Sequence, residues 1–306
     1  MRKIAILLVL TLFVLASCKS GNTSVELKPF LGGTSGLKID FLDFRQQVFD
    51  GGDDPFDLIV SIKNNGEFDV KKTDAIVRLS GIRPQEFNKA ENELTKNPED
   101  DILATKIDAN GNTLEAGPVS VEFRELNHIS LIAGAVSTFP IRADVCYKYQ
   151  TKAVSKICVL SNLLSTEGIC VVDETKPVFN SGAPVQIANV KQSPQGKDKF
   201  RITFDITQSG TGNTFQPESK CELDKEKNKV MVRVDTHMSG LSCTGLNDAS
   251  GTAVEGLQTL FDGKKTIQCI QEVGKSGDYE QAVEITADYV YEDSKTAQIT
   301  VKSSGA

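Results

Sequence analysis

Apolar and polar residues alternate in short runs along most of this chain. Residues 56–62 run Phe-Asp-Leu-Ile-Val-Ser-Ile, and residues 200–206 run Phe-Arg-Ile-Thr-Phe-Asp-Ile. A period of two sends one face of an extended chain into a core and the other to solvent, which predicts half-buried β-strands. Similar runs lie at 37–41, 75–79, 119–126, 139–149 and 154–160, and again at 185–190, 230–234, 254–260, 266–273, 283–291 and 297–301. Clusters such as Asn64-Asn65-Gly66 and residues 108–112 separate them and carry turn chemistry. Residues 81–101 are polar and aperiodic, which predicts an elaborated loop with one helical turn. The chain is therefore expected to be all-β.

The pattern repeats. Residues 52–66 align without gaps on 196–210, with Gly52, Phe56 and Gly66 falling on Gly196, Phe200 and Gly210. The same offset of 144 returns late in the chain, where Ala143-Asp144-Val145-Cys146-Tyr147 falls on Ala287-Asp288-Tyr289-Val290-Tyr291. Two distant matches at one offset predict two copies of one domain, 37–162 and 182–304. About seven short strands per copy is the pattern of an immunoglobulin-like β-sandwich. Residues 163–181 would link the copies, and Cys170 within them could staple the linker to a domain.

The first residues differ from all that follows. Arg2 and Lys3 precede an apolar run from Ile4 to Val14, interrupted by Thr11. That is the layout of a secretory signal peptide, and the run is too short to span a bilayer as a helix. Leu15-Ala16-Ser17-Cys18 resembles the lipobox of prokaryotic lipoproteins. The resemblance implies removal of 1–17, lipidation of the Cys18 thiol and attachment to the extracellular face of the cell membrane. Ordinary cleavage near Ser17 is the competing reading. Residues 18–36 then form a Gly-, Ser- and Thr-rich tether, with a lone Asn22-Thr23-Ser24 glycosylation sequon.

Charge narrows the partners. The net charge is −7, and loss of Arg2 and Lys3 with the leader takes it to −9. Neither nucleic acid nor an anionic lipid surface is an expected partner of so acidic a chain. The expected partners are the membrane, through Cys18, and an unidentified protein or glycan.

Six cysteines remain beyond Cys18, an even number on an exported chain, which predicts disulfides. Cys146 and Cys158 bracket an expected hairpin centred near Lys152. Opposed residues at a non-hydrogen-bonded site lie about 4.5 Å apart, within reach of a disulfide. Cys146–Cys158 is therefore the favoured pair; the other four cysteines allow three pairings, of which Cys243–Cys269 with Cys170–Cys221 is the preferred one. The inter-sheet cystine of immunoglobulin domains is not expected, because Val290 stands at the position equivalent to Cys146 and the chain has no Trp.

No catalytic constellation emerges. The two histidines, His128 and His237, lie outside any nucleophile-elbow context and are expected at the surface or in loops. Asp108-x-Asn110-x-Asn112 resembles the start of a calcium loop, but Val119 stands where the closing acid belongs, so a polar hairpin turn is expected. Asp53-Asp54 and Asp100-Asp101 sit in loop sequence as solvated carboxylates. No cysteine spacing suits a metal, no phosphate loop is present, and no cofactor is expected. Tyr147, Tyr149, Tyr289 and Tyr291 alternate on two strands; an exposed binding strip is one reading, and a packed face is the preferred one.

The run from Phe56 to Gly66 resembles adhesion-type immunoglobulin-like domains of prokaryotic surface proteins. Phe30-Leu-Gly-Gly-Thr-Ser-Gly36, Gly81-Ile-Arg-Pro84, the run from Val145 to Thr151 and Ala183-Pro-Val-Gln186 resemble a family of uncharacterised archaeal surface lipoproteins. The resemblance spans nearly the whole chain and implies a location and a fold, with no activity. The expectation is a non-enzymatic surface module for binding, adhesion or envelope structure. The alternatives are a filament or lattice subunit assembling by strand addition, and an accessory solute-binding component of an envelope transporter or hydrolase, which would need a concave apolar pocket.

Overall fold

The computed structural model describes residues 29–108, 110–274 and 277–305. The expected leader, Cys18 and most of the tether lie outside the described residues. The first half contains β1 (Leu37–Leu42), β2 (Gln47–Phe49), β3 (Phe56–Asn64), β4 (Ala75–Ser80), the two-residue strands β5 (Thr95–Lys96), β6 (Lys106–Ile107) and β7 (Thr113–Leu114), then β8 (Val119–Leu126) and β9 (Val136–Val159). Between the halves lie β10 (Glu174–Thr175) and β11 (Val178–Asn180). The second half contains β12 (Val185–Pro194), β13 (Lys199–Gln208), β14 (Asn213–Phe215), β15 (Lys229–Asp235), β16 (Leu241–Cys243), β17 (Asp248–Ser250), β18 (Ala253–Thr259), β19 (Lys264–Glu272) and β20 (Tyr279–Lys302). Among the described residues the helical elements are short 3₁₀ turns. Two of them, Pro84–Phe87 and Glu91–Leu94, lie in the polar stretch expected to be a loop.

Alternation in sequence becomes alternation in burial. Phe56, Leu58, Val60 and Ile62 of β3 are buried, as are Phe200, Ile202, Phe204 and Ile206 of β13. In β4 and β15 every second residue is buried. Each such side chain contributes about 1.5–3 kcal/mol on burial. One continuous apolar core runs through both halves.

Three sheets carry the fold. A three-stranded sheet is ordered β1-β3-β8 and a five-stranded sheet β10-β12-β13-β19-β16. The third, ten-stranded, sheet is common to both halves and ordered β17-β18-β15-β20-β9-β4-β5, with β11 on β9 and with β2 and β14 on β20. At its centre β9 and β20 pair antiparallel from Val136↔Lys302 to Val159↔Tyr279. Each has 24 residues, a length of about 80 Å. Tyr147 lies opposite Tyr291, 144 residues further on. A shift of 144 also exchanges the pair Ala143↔Lys295 with the pair Thr151↔Ala287. A local twofold axis therefore passes between Tyr147 and Tyr291.

These long strands correct the expected hairpins. Residues 150–153 and 292–296 are continuous strand, where the sequence predicts breaks. The run Glu292-Asp293-Ser294-Lys295 is polar enough to resemble a loop, but its backbone groups are satisfied by Ala143 to Cys146 of β9.

The cysteine pairing changes with them. Cys146 and Cys158 lie on the same strand, about 40 Å apart at 3.3 Å per residue, and cannot pair. Cys146 bonds Cys221, and Cys158 bonds Cys170. The expected Cys146–Cys158 and Cys170–Cys221 bridges are thus both replaced. Cys243–Cys269 is formed, joining opposed residues of β16 and β19. Cys170 staples the segment between the halves to the end of β9. Cys146–Cys221 joins the two halves, inside a small apolar cluster with Phe215 and Val290.

Candidate functional site

The region around the twofold axis is built from four tyrosines. Tyr147 and Tyr149 of β9, and Tyr289 and Tyr291 of β20, sit two residues apart on their strands, so their rings share one face. All four are buried, with ring centroids 5.6–6.3 Å apart. The tyrosine strip is packed, not exposed. Every hydroxyl is engaged. Tyr147 Oη accepts the Leu37 amide (3.1 Å), and Tyr149 Oη donates to Asn64 Oδ1 (3.1 Å). Tyr289 Oη accepts the Val185 amide (3.3 Å) and bonds Thr151 Oγ1 (3.1 Å). Tyr291 Oη accepts the Gly212 amide (2.7 Å).

Burial pushes all four phenols up. Tyr147, Tyr149 and Tyr289 rise well above the ordinary value, and Tyr291 is pushed up to about 12. They stay neutral at physiological pH and act as hydrogen-bonding posts.

The same hydroxyls explain two glycines of the repeat. A Cβ on Gly66 would fall against Tyr149 Oη, and one on Gly210 against Tyr291 Oη. Neither glycine has a left-handed φ; each is required because the space is filled, at Gly66 by the phenol and the Gly182 and Ser35 carbonyls, and at Gly210 by the phenol and Pro184.

A cleft of about 500 Å³ opens beside these posts, between the halves. One wall is the run Thr34 to Asp40, at the outer edge of β1. The other is Pro184, Ser209 to Thr211, and Tyr291 with Asp293 to Lys295 of β20. Two of the motifs singled out in the sequence meet here, one ending at Gly36 and the other containing Pro184. Asp40 sits at the rim between Lys38 Nζ (3.0 Å) and Lys295 Nζ (3.3 Å). The Lys38 hydrogen bond, aided by Lys295 and opposed by partial burial, holds its carboxyl below the ordinary value.

The lining offers hydroxyls, one ion-paired carboxylate and a strand edge, and no imidazole lies on it. His128 is buried at 2% exposure, edge-on to Phe87 (5.1 Å) and beside Phe139 (5.4 Å), which corrects its expected surface position. Packing by Phe87, from the polar stretch 81–101, hides it. His237 is partly exposed at a turn, with a φ of 55°. Asp108 accepts the Asn110 and Asn112 amides (both 2.8 Å) and closes the β6–β7 hairpin. Among the described residues no group of three His, Cys, Asp or Glu side chains is placed to hold a metal, and no helix is long and apolar enough to cross a membrane.

No family model and no curated protein matches the chain. Among solved structures, envelope protein VP37 from White Spot Syndrome Virus aligns with 48% of this chain and 98% of its own, at 8% identity and a TM-score of 0.24. A likeness of that size is too slight to bear on fold or function.

Proposed function

We propose that the protein is a non-enzymatic lipoprotein of the cell envelope, held at the outer face of the membrane through Cys18. In this reading its two immunoglobulin-like halves act as one binding or structural module, related to the archaeal surface lipoproteins that its motifs resemble. The observation that supports it best is a body of β-sheet closed by three disulfides, following a lipobox-like leader. Disulfides form and persist in oxidising compartments. A polar cleft beside a strand edge favours contact with another polypeptide over capture of an apolar solute.

Intact mass of the native protein, extracted from membranes and measured before and after reduction, tests this. The expected chain begins at Cys18, carries lipid, and gains about six daltons as three disulfides are reduced. An unlipidated chain in the membrane fraction overturns the anchor, and free thiols overturn the compartment.

A further inference from the structure

In the second half, the outer edge of β12 is closed. Val185 gives its amide to Tyr289 Oη. Two residues on, Ile187 gives its amide to Asn180 Oδ1 (2.8 Å) and takes Asn180 Nδ2 on its carbonyl (2.9 Å). The Asn180 side-chain amide thus supplies one donor and one acceptor to a single residue, as a neighbouring antiparallel strand would.

The first half has the same edge without the closure. Leu37 gives its amide to Tyr147 Oη, in the place of Val185. The Asn65 amide donates to Gly36 O (3.0 Å), which fixes the alternation along β1. Gly36, Lys38 and Asp40 therefore turn their peptide groups towards β3, and Leu37 and Ile39 turn theirs outward. Ile39 stands where Ile187 stands. No described residue hydrogen-bonds its outward amide or carbonyl, and Ile39 lines the cleft.

Residues 31–33, just before β1, are held elsewhere. Leu31 and Gly32 give their amides to the Glu67 carboxylate (3.0 and 2.9 Å), and Gly33 O accepts the Ala183 amide (3.2 Å). A folded sheet edge does not fit, because Ser209 to Thr211 and Asp293 to Lys295 wall the opposite side. The space leaves room for one strand at most, and at its Asp40 end the Asp40–Lys295 ion pair crosses it from β1 to β20. Charges along the lining balance, Lys38 and Lys295 against Asp40 and Asp293, so what the cleft presents for recognition is the peptide backbone.

We infer that the cleft between β1 and β20 takes a single extended segment of another polypeptide, a chain end or long loop, which adds to β1 through Ile39. The Asn180 amide in the second half is the internal version of this contact. Strand addition draws affinity from main-chain hydrogen bonds and specificity from alternate side chains. The inference rests on the binding-module reading and is independent of the lipid anchor, so the mass measurement and the test below fail separately.

The test uses the full-length chain and a panel of end-blocked fluorescent octapeptides alternating Thr with each other amino acid. Binding is followed by anisotropy, and protection of the Ile39 amide by hydrogen exchange. At least one peptide should bind and protect Ile39. N-methylation of that peptide at alternate amides should weaken binding about tenfold, as expected for the loss of one or two hydrogen bonds. Thr211→Trp, which fills the cleft from an exposed loop and leaves β1 untouched, should weaken it at least as much. Failure of every peptide to bind overturns the inference, as does undiminished binding of the N-methylated peptide. Protection of Ile39 that rises with protein concentration alone would place a second copy in the cleft and overturn the assignment to a different chain.

Discussion

At the scale of residues, the decisive contacts are those between glycines and phenols. Asn64 Oδ1 accepts both the Gly66 amide (3.0 Å) and Tyr149 Oη. Tyr149→Phe leaves that oxygen with one partner and also removes the longer contact of the same hydroxyl to Gly182 O (3.4 Å), so the loss is one shared proton's hydrogen bonding, about 1 kcal/mol. Gly66→Ala drives a methyl into Tyr149 Oη and into the carbonyls of Gly182 and Ser35, two of the three being rigid backbone. It should cost on the order of 3 kcal/mol, as overpacking does at its upper range. Urea unfolding of the two variants checks the order; Gly66→Ala at or below the cost of Tyr149→Phe would refute the steric account. The period-two spacing of these tyrosines was legible in the sequence, and their shared face followed from it. Their depth was not, because it depends on the partner strand about 140 residues away. His128 escaped for the same reason, since Phe87 and Phe139 cover it from elsewhere in the chain.

At the scale of elements, strand positions were legible and strand lengths were not. The strands of six residues or more other than β9 and β20 fall where alternation placed them, while the two- and three-residue strands such as β2, β5, β14, β16 and β17 are too short to show a period. The two long strands were divided, because Ser294 and Lys295 carry the polarity of a turn while β9 supplies their hydrogen bonds. The division of β9 at Lys152 misdirected the disulfides, since Cys146–Cys158 required a hairpin there, and without it Cys146 bonds Cys221 and Cys158 bonds Cys170. Two of the observed bridges differ in what they should be worth. Cys158–Cys170 spans 12 residues and Cys146–Cys221 spans 75, which on the chain-entropy model gives about 3 and about 4.5 kcal/mol. Replacing both members of each pair by Ser and measuring urea midpoints should therefore show the larger loss for Cys146–Cys221. The reverse order would mean that the loop holding Cys221 is fixed well enough without its bridge, through Lys148–Glu218 and Arg78–Glu222.

At the scale of the whole molecule, the halves share a sheet, a core and a bridge, and should unfold as one. The second half also returns to the first, where Asp50 accepts the Ser304 amide (2.7 Å) and β2 pairs with the end of β20. Alkaline titration tests this unity. Phenols whose folded values are raised contribute stability that is complete below the ordinary value near 10 and is lost as pH climbs towards about 12 for Tyr291. Tyrosinate absorbance and the far-ultraviolet signal should change together in one transition across that window. Two separate transitions would show halves that merely touch. The internal axis has a further consequence, one of valence. A dimer of identical chains built on the same axis would dissociate on dilution, and would present two open edges or none. Carrying both halves in one chain fixes their ratio at any concentration, and lets one edge be closed by Asn180 while its counterpart at Ile39 stays open. The result is a symmetric frame with one open edge, and on the inference drawn above one molecule should engage one strand.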